Sequence, residues 1–269
     1  MSSTIFVNGV TLTDAEWFND TDDLVYDAVI RPNNSAYNVT GSGDEAAGLA
    51  TMFAAATGQL IIMDPGKTYT SSTEQTLPAG ATLDLNGSTL KFTGAGAVKD
   101  LIMSSGSTVR NGTVENAGSA ASGSGDKQCP ILIGDFDTGI GVGNVTARDL
   151  TLVTNRTDGG HILVTGGSYN VDIDNIYVAT NATADTIVQL HWGGQASLDS
   201  IQLPHNVAIS NIRSDGLDTG TVVYISGAYD GRVDGVDATA PDNVAIVTCG
   251  DYGDDHVAAG YSGRLGLGI

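Results

Sequence analysis

Three aspartates sit on the polar phase of short apolar-polar alternations: Asp172 and Asp174 between Val171, Ile173 and Ile176, and Asp234 beside Val233. With the apolar neighbours turned inward, these carboxyls face outward. Strands stacked about 4.8 Å apart would bring such groups within the roughly 5 to 10 Å that a carboxylate pair needs to hydrolyse a glycosidic bond. Asp158 and Asp185 lie beside a further apolar run and complete the carboxylate candidates. His191 could give or take a proton, and Trp192 beside it could stack on a sugar ring. Tyr177, Tyr224 and His205 are the remaining ring-bearing binding candidates. Each residue also has a plainer role. Asp bonds its own backbone in turns, and it far outnumbers Glu, which occurs only as Glu16, Glu45, Glu74 and Glu115. A Trp in an insert covers a sheet edge, a His caps a backbone group and a Tyr packs at a rim. For β-elimination at a uronate, the outward cations Arg148, Arg213 and Arg232 are sparse, so hydrolysis stands ahead of elimination and catalysis itself stays open.

The element that positions these residues is a recurring word. Asn170 to Val178 is apolar at Val171 and Ile173, polar at Asn175, then apolar again at Ile176 and Val178. Asn175 shifts the period-two phase by one residue, which predicts two short strands meeting at a bend. The word returns around Asn111, Asp149, Asn211 and Gly235, and with Asn175 the five centres are spaced by 38, 26, 36 and 24 residues. A recurring word of this kind marks a repeat architecture. Repeats of about two dozen residues fit the short spacings, and the two long ones carry visible inserts at 118–126 and 193–203. A third apolar run lies between the corner words: His161 to Val164, Thr186 to Leu190, Val222 to Ile225 and Val244 to Val247. Three strands per repeat is the pattern of a parallel β-helix, with Asn175 and Asn211 expected in a hydrogen-bonded ladder that Asp149 and Gly235 extend or interrupt. No helical period follows residue 57, which excludes a doubly wound α/β fold.

The composition narrows the partners. Lys and Arg total 11 against 31 Asp and Glu, for a formal net charge of −20, which disfavours nucleic acid and anionic membranes. The 36 glycines lack a collagen period and serve turns. Cys129 and Cys249 lack metal-ligand spacing and read as free or buried thiols, and no metal or other cofactor is expected. No stretch approaches 18 uninterrupted apolar residues and no export signal precedes the first strand, so membrane insertion and secretion by a signal peptide are not expected.

Along the chain, residues 1–30 read as a separate module: a strand at Ile5 to Val7, a turn at Asn8-Gly9, and a capping box Thr13-Asp14-Ala15-Glu16 that begins a helix with Trp17, Phe18, Tyr26 and Val29 buried. Residues 31–43 read as a linker. From Asp44-Glu45 a helix is predicted, with Leu49, Met52, Phe53 and Ala56 on one stripe and a stop at Gly58. The body then runs to residue 260, and 261–269 reads as a tail.

The segment from Phe6 to Asp20 resembles the leader at the front of bacteriophage tail fibre and tail spike proteins. The helix at 44–57, the turn Asp64-Pro65-Gly66 before Tyr69, Leu77-Pro78-Ala79-Gly80-Ala81-Thr82-Leu83 and Gly87-Ser88-Thr89-Leu90 together resemble the entrance of the pectate-lyase-like right-handed parallel β-helix superfamily. The resemblance implies an all-β protein, a right-handed single-stranded parallel β-helix whose open end is covered by the helix, with a small N-terminal strand-helix module. It further implies a virion tail location, attachment to other virion tail proteins through residues 1–30, a homotrimer, and a host cell-surface glycan as partner. The polymer would be bound, or cut by a glycoside hydrolase or lyase on the same scaffold; a purely structural virion role is the third class.

Overall fold

The computed structural model describes residues 5–7, 10–12, 29–95, 99–118, 129–154, 160–178, 186–194, 202–214, 221–238, 246–248 and 267–268. The corner word turns directly into geometry. At Asn111, Asp149, Asn175, Asn211 and Gly235 the backbone φ is 60°, 54°, 52°, 54° and 64°, the left-handed region that Asn, Asp and Gly enter at least cost. One residue there restarts the alternation. Val171 and Ile173 are buried, Asn175 is exposed, and Ile176 and Val178 are buried again.

The two arms of each word do not separate into two strands. They run on as single bent strands, Thr108–Asn116, Gly143–Thr154, Tyr169–Val178, His205–Ser214 and Gly231–Ala238. A lone left-handed residue redirects side chains while the backbone ladder stays paired on both sides of it. These strands stack in parallel, aligning Val109, Ala147, Ile173, Ile209 and Val233 at one position. Thr82–Asp84, Leu60–Ile62 and Val29–Ile30 continue this first sheet toward the N-terminal side, and Thr89–Phe92 and Thr68–Ser71 supply its separate second arms there.

A second sheet stacks Gln75–Leu77, Leu101–Met103, Ile131–Ile133, Gly160–Thr165, Thr186–His191, Thr221–Ile225 and Ile246–Thr248, again in parallel throughout. The third apolar runs of the sequence fall on this sheet. From Gln75 to Thr248 the chain alternates between the sheets, giving each repeat a level in both. The molecule is thus mostly β with parallel sheets, and one helix, Ala46–Ala54, is present among the described residues.

Both sheets turn apolar side chains into one core: Ile61, Val109, Ile173 and Ile209 from the first, Met103, Ile133, Val164 and Leu190 from the second. The helix adds Leu49, Met52 and Phe53 to it, as its stripe predicts, and Gly58 follows with φ 69°. Gln75 Nε2 donates to the Ala46 carbonyl at 3.1 Å, tying the helix to the first strand of the second sheet. Residues ahead of the helix also pack on the body: Val39 is fully buried, the Thr40 and Gly41 N–H groups donate to Glu45 Oε1, and Val29–Ile30 pairs with Leu60–Ile61. At the far N-terminus Ile5–Val7 pairs antiparallel with Val10–Leu12 around the Asn8-Gly9 position. The helix expected from Thr13 and its partners Trp17, Phe18 and Tyr26 lie outside the described residues, as does most of the tail.

The sheets differ in what they face. In the second, Ile131 and Ile133 enter the core while Leu132 packs with Leu163 and Cys129 on the opposite side, so the strand is buried on both faces, the reason it reads as a continuous apolar run. The first sheet keeps its alternation on either side of each corner, with Asp172 exposed between buried Val171 and Ile173. Its outer face meets water and can meet a ligand.

Candidate functional site: a ring and amide column

The left-handed device occurs a second time in each repeat, where the chain enters the first sheet. Asn144, Asn170, Asn206 and Asp230 have φ of 59°, 52°, 51° and 53°. They belong to the words Gly143-Asn144-Val145, Tyr169-Asn170-Val171, His205-Asn206-Val207 and Tyr229-Asp230-Gly231. Since the alternation breaks there, two adjacent side chains face outward ahead of buried Val171 and Val207, and Tyr229 and Asp230 do so ahead of Gly231. Stacking turns this into two neighbouring columns, one of rings and one of amides ended by a carboxylate.

In the ring column, Tyr169 and His205 have centroids 5.6 Å apart with planes at 17°, and His205 and Tyr229 have centroids 4.8 Å apart with planes at 1°. Gly143 makes room below: a Cβ there would stand 2.3 Å from the Tyr169 ring. In the amide column Asn170 Nδ2 donates to Asn144 Oδ1 at 3.0 Å and Asn206 Nδ2 donates to Asn170 Oδ1 at 2.6 Å. Tyr169 and Tyr229 are 41% and 39% exposed, large values for aromatic side chains. Of the sequence candidates, His205 stands in this column. Tyr169 and Tyr229 are not among them; the returning x-Asn-Val word marks Tyr169, and Tyr229 stands one level on in Tyr229-Asp230-Gly231.

The outward carboxylates are committed to the scaffold to different degrees. Asp174 Oδ1 accepts from Ser210 Oγ at 2.7 Å and from Asn211 Nδ2 at 2.8 Å. Those two bonds, with the charge of Arg148 adding to them, hold its pKa below the usual carboxylate range, the opposite of what a general acid requires. Asp84 repeats the arrangement, accepting from Arg110 Nε at 3.0 Å and Asn111 Nδ2 at 3.1 Å. The ladder expectation therefore needs one correction. Asn175 donates to Asp149 at 2.7 Å, but Asn211 bonds Asp174 rather than Asn175, because an ionised carboxylate is the stronger acceptor. Asp234 accepts from Arg232 Nη2 at 2.6 Å, and Asp172 is exposed at the level aligned with Ala208. Asp158 and Asp185 lie outside the described residues.

His191 and Trp192 are buried, at 1% and 8% exposure. Their rings cluster with Phe136, whose centroid is 4.8 Å from His191 and 5.8 Å from Trp192, and His191 Nδ1 lies 2.7 Å from the Trp192 carbonyl. The described ends of the 193–203 insert lie against the body. Gly193 bridges to Gln202, the Gly194 N–H donates to the Phe136 carbonyl at 2.9 Å, and Gly193 presses on Gly166 so closely that a Cβ would meet it at 2.7 Å. Residues 134–136 and 193–194 thereby close over the short turn at Gly166-Gly167. The tip of the insert, and the other insert beyond Gly118, lie outside the described residues. Tyr177 is half-buried with the Arg213 guanidinium 5.9 Å from its ring centre, and Tyr224 is half-buried on the second sheet, aligned with Gln189. Among the described residues no three His, Cys, Asp or Glu side chains gather in a metal-binding group.

Neither a family model nor a curated protein matches the chain. Among solved structures, one described as Geobacillus virus E2 ORF18 is similar at a TM-score of 0.31 and 10% identity, over 93% of this chain and 68% of that one.

Proposed function

We propose that the body is a right-handed parallel β-helix and that the protein is a virion-associated tail fibre or tail spike component that recognises host surface polysaccharide on its ring and amide column. The alternation of the chain between two parallel sheets supports the coil, and the strong preference of parallel crossovers for one hand supports its handedness. The observation that carries the recognition reading is the exposed Tyr169-His205-Tyr229 stack beside Asn144, Asn170 and Asn206. Ring edges give apolar contact and amides both donate and accept, the combination a polyhydroxylated ligand fits. Residues 1–30 are the attachment to other tail proteins, and the assembly is a homotrimer, both on the likeness of the leader to tail fibres.

Binding is favoured over hydrolysis by the state of the outward carboxylates: Asp174 is held ionised by two hydrogen bonds and Asp234 faces Arg232. The test is incubation of the purified protein with capsular and lipopolysaccharide glycans of candidate hosts, followed by sizing of the polymer. Retention without shortening is the expected result. New reducing ends would replace binding with hydrolysis, and absence of retention would remove recognition altogether.

A further inference from the structure

We propose that the polymer taken by this column is uncharged, and that uronate-, sulfate- or phosphate-bearing glycans are excluded. The inference rests on the recognition reading above and adds its ligand class. The first supporting observation is the charge around the rings. Across the levels of Tyr169, His205 and Tyr229, the leading arm of the first sheet presents Asp172, Asp174, Asp230 and Asp234 against the single cation Arg232. That cation is bonded to Asp234 at 2.6 Å. The neighbouring level offers Arg148, which lies 3.8 Å from Asp149. Two cations of the earlier levels are paired in the same way, Arg110 with Asp84 and Lys91 with Glu115. An anionic polymer would meet a net negative strip on a chain of formal charge −20, a repulsion that rises as salt falls.

The second observation is hydrogen-bonding chemistry. Asn170 and Asn206 each spend one N–H on the level below, and the last described member of the column is Asp230, which only accepts. Carboxylates and amide oxygens are acceptors for hydroxyl protons, and a carboxylate bonded by a hydroxyl makes one of the stronger neutral-to-ion hydrogen bonds. Sugar hydroxyls satisfy this strip; carboxylate, sulfate and phosphate groups bring acceptors to acceptors. Because the rings stack along the direction in which levels repeat, about 4.8 Å apart, the strand of sugar lies across the strands rather than along them.

The test compares the full chain on two immobilised probe sets, host-derived neutral O-polysaccharides and polyuronate or phosphate-bearing capsules, at low and high salt. Retention confined to neutral polymers, changed less than about twofold by salt and reduced at least about tenfold by Tyr169→Ala with Tyr229→Ala, is expected. Tyr169→Phe serves as a ring-preserving control that keeps the stack. A polyanion held in a Tyr169- and Tyr229-dependent way overturns the charge inference while leaving recognition by the column intact. Retention of neither class, or retention that survives both alanine changes, overturns the column as a binding surface and this inference with it.

Discussion

At the scale of single residues, the left-handed corners decide both scaffold and surface. Asn175 has φ 52° and donates to Asp149 at 2.7 Å, so Asn175→Ala loses a tolerated conformation and a bond, a cost of about 1 to 3 kcal/mol. Asn175→Gly loses only the bond and costs less. Urea midpoints at constant m-value order the two, and a glycine variant less stable than the alanine variant would contradict the corner's role. His161 gives the pH dependence. It is fully buried, its Nδ1 lies 3.2 Å from the Thr186 carbonyl, and its Nε2 has no hydrogen-bond partner among the described residues. Burial pushes its pKa down to about 4 from 6.5. The unfolded chain then binds the proton first as pH falls, so the stability associated with neutral His161 is complete above pH 6.5 and is lost progressively toward pH 4. His161→Gln flattens that part of the stability profile, measured by denaturant unfolding across the same range; an unchanged slope would show that His161 is not its source.

At the scale of elements, the alternation within one strand separates scaffold from surface. Ile173 is buried in the core and Asp172 beside it is exposed. Ile173→Ala is expected to cost about 2 to 5 kcal/mol and Asp172→Ala to stay within about 0.5 kcal/mol, read from the same unfolding curves. Equal costs would place the strand in the wrong register. This layer was legible in the sequence, since Asn111, Asp149, Asn175, Asn211 and Gly235 do occupy one position in the first sheet. The phase shift at Asn is a local event with a local signature. Merging of the two arms into one bent strand was not legible, because period two is interrupted in sequence while the backbone ladder is not. The burial of His191 and Trp192 was likewise hidden: His191-Trp192-Gly193-Gly194 looks like a ligand loop, and the partner that covers both rings, Phe136, lies more than fifty residues earlier in the chain. The second column failed to stand out for a different reason. Its Asn residues stand five positions ahead of the corner residue and its ring positions carry Gly, Tyr or His, so the repeat is one of geometry more than of identity.

At the scale of the whole molecule, two parallel sheets built from stacked levels separate the tasks of the chain. The helix Ala46–Ala54 covers the first levels with Leu49, Met52 and Phe53, a buried sheet supplies the interior wall, and the wet face of the other sheet carries the ring and amide column. Removal of residues 1–28 leaves the Val29–Ile30 pairing with Leu60–Ile61 in place; such a truncation is expected to fold and bind polysaccharide as the full chain does, while losing incorporation into virions. Incorporation of the truncated chain at the full level would contradict the attachment role. The most direct measurement of the central claim is retention of host surface polysaccharide by the intact protein and by its Tyr169→Ala, Tyr229→Ala double variant, with the polymer sized afterwards. The account predicts retention by the intact chain, a loss of at least about tenfold in the double variant, and polymer of unchanged length; equal retention by both proteins, or a shortened polymer, would contradict it.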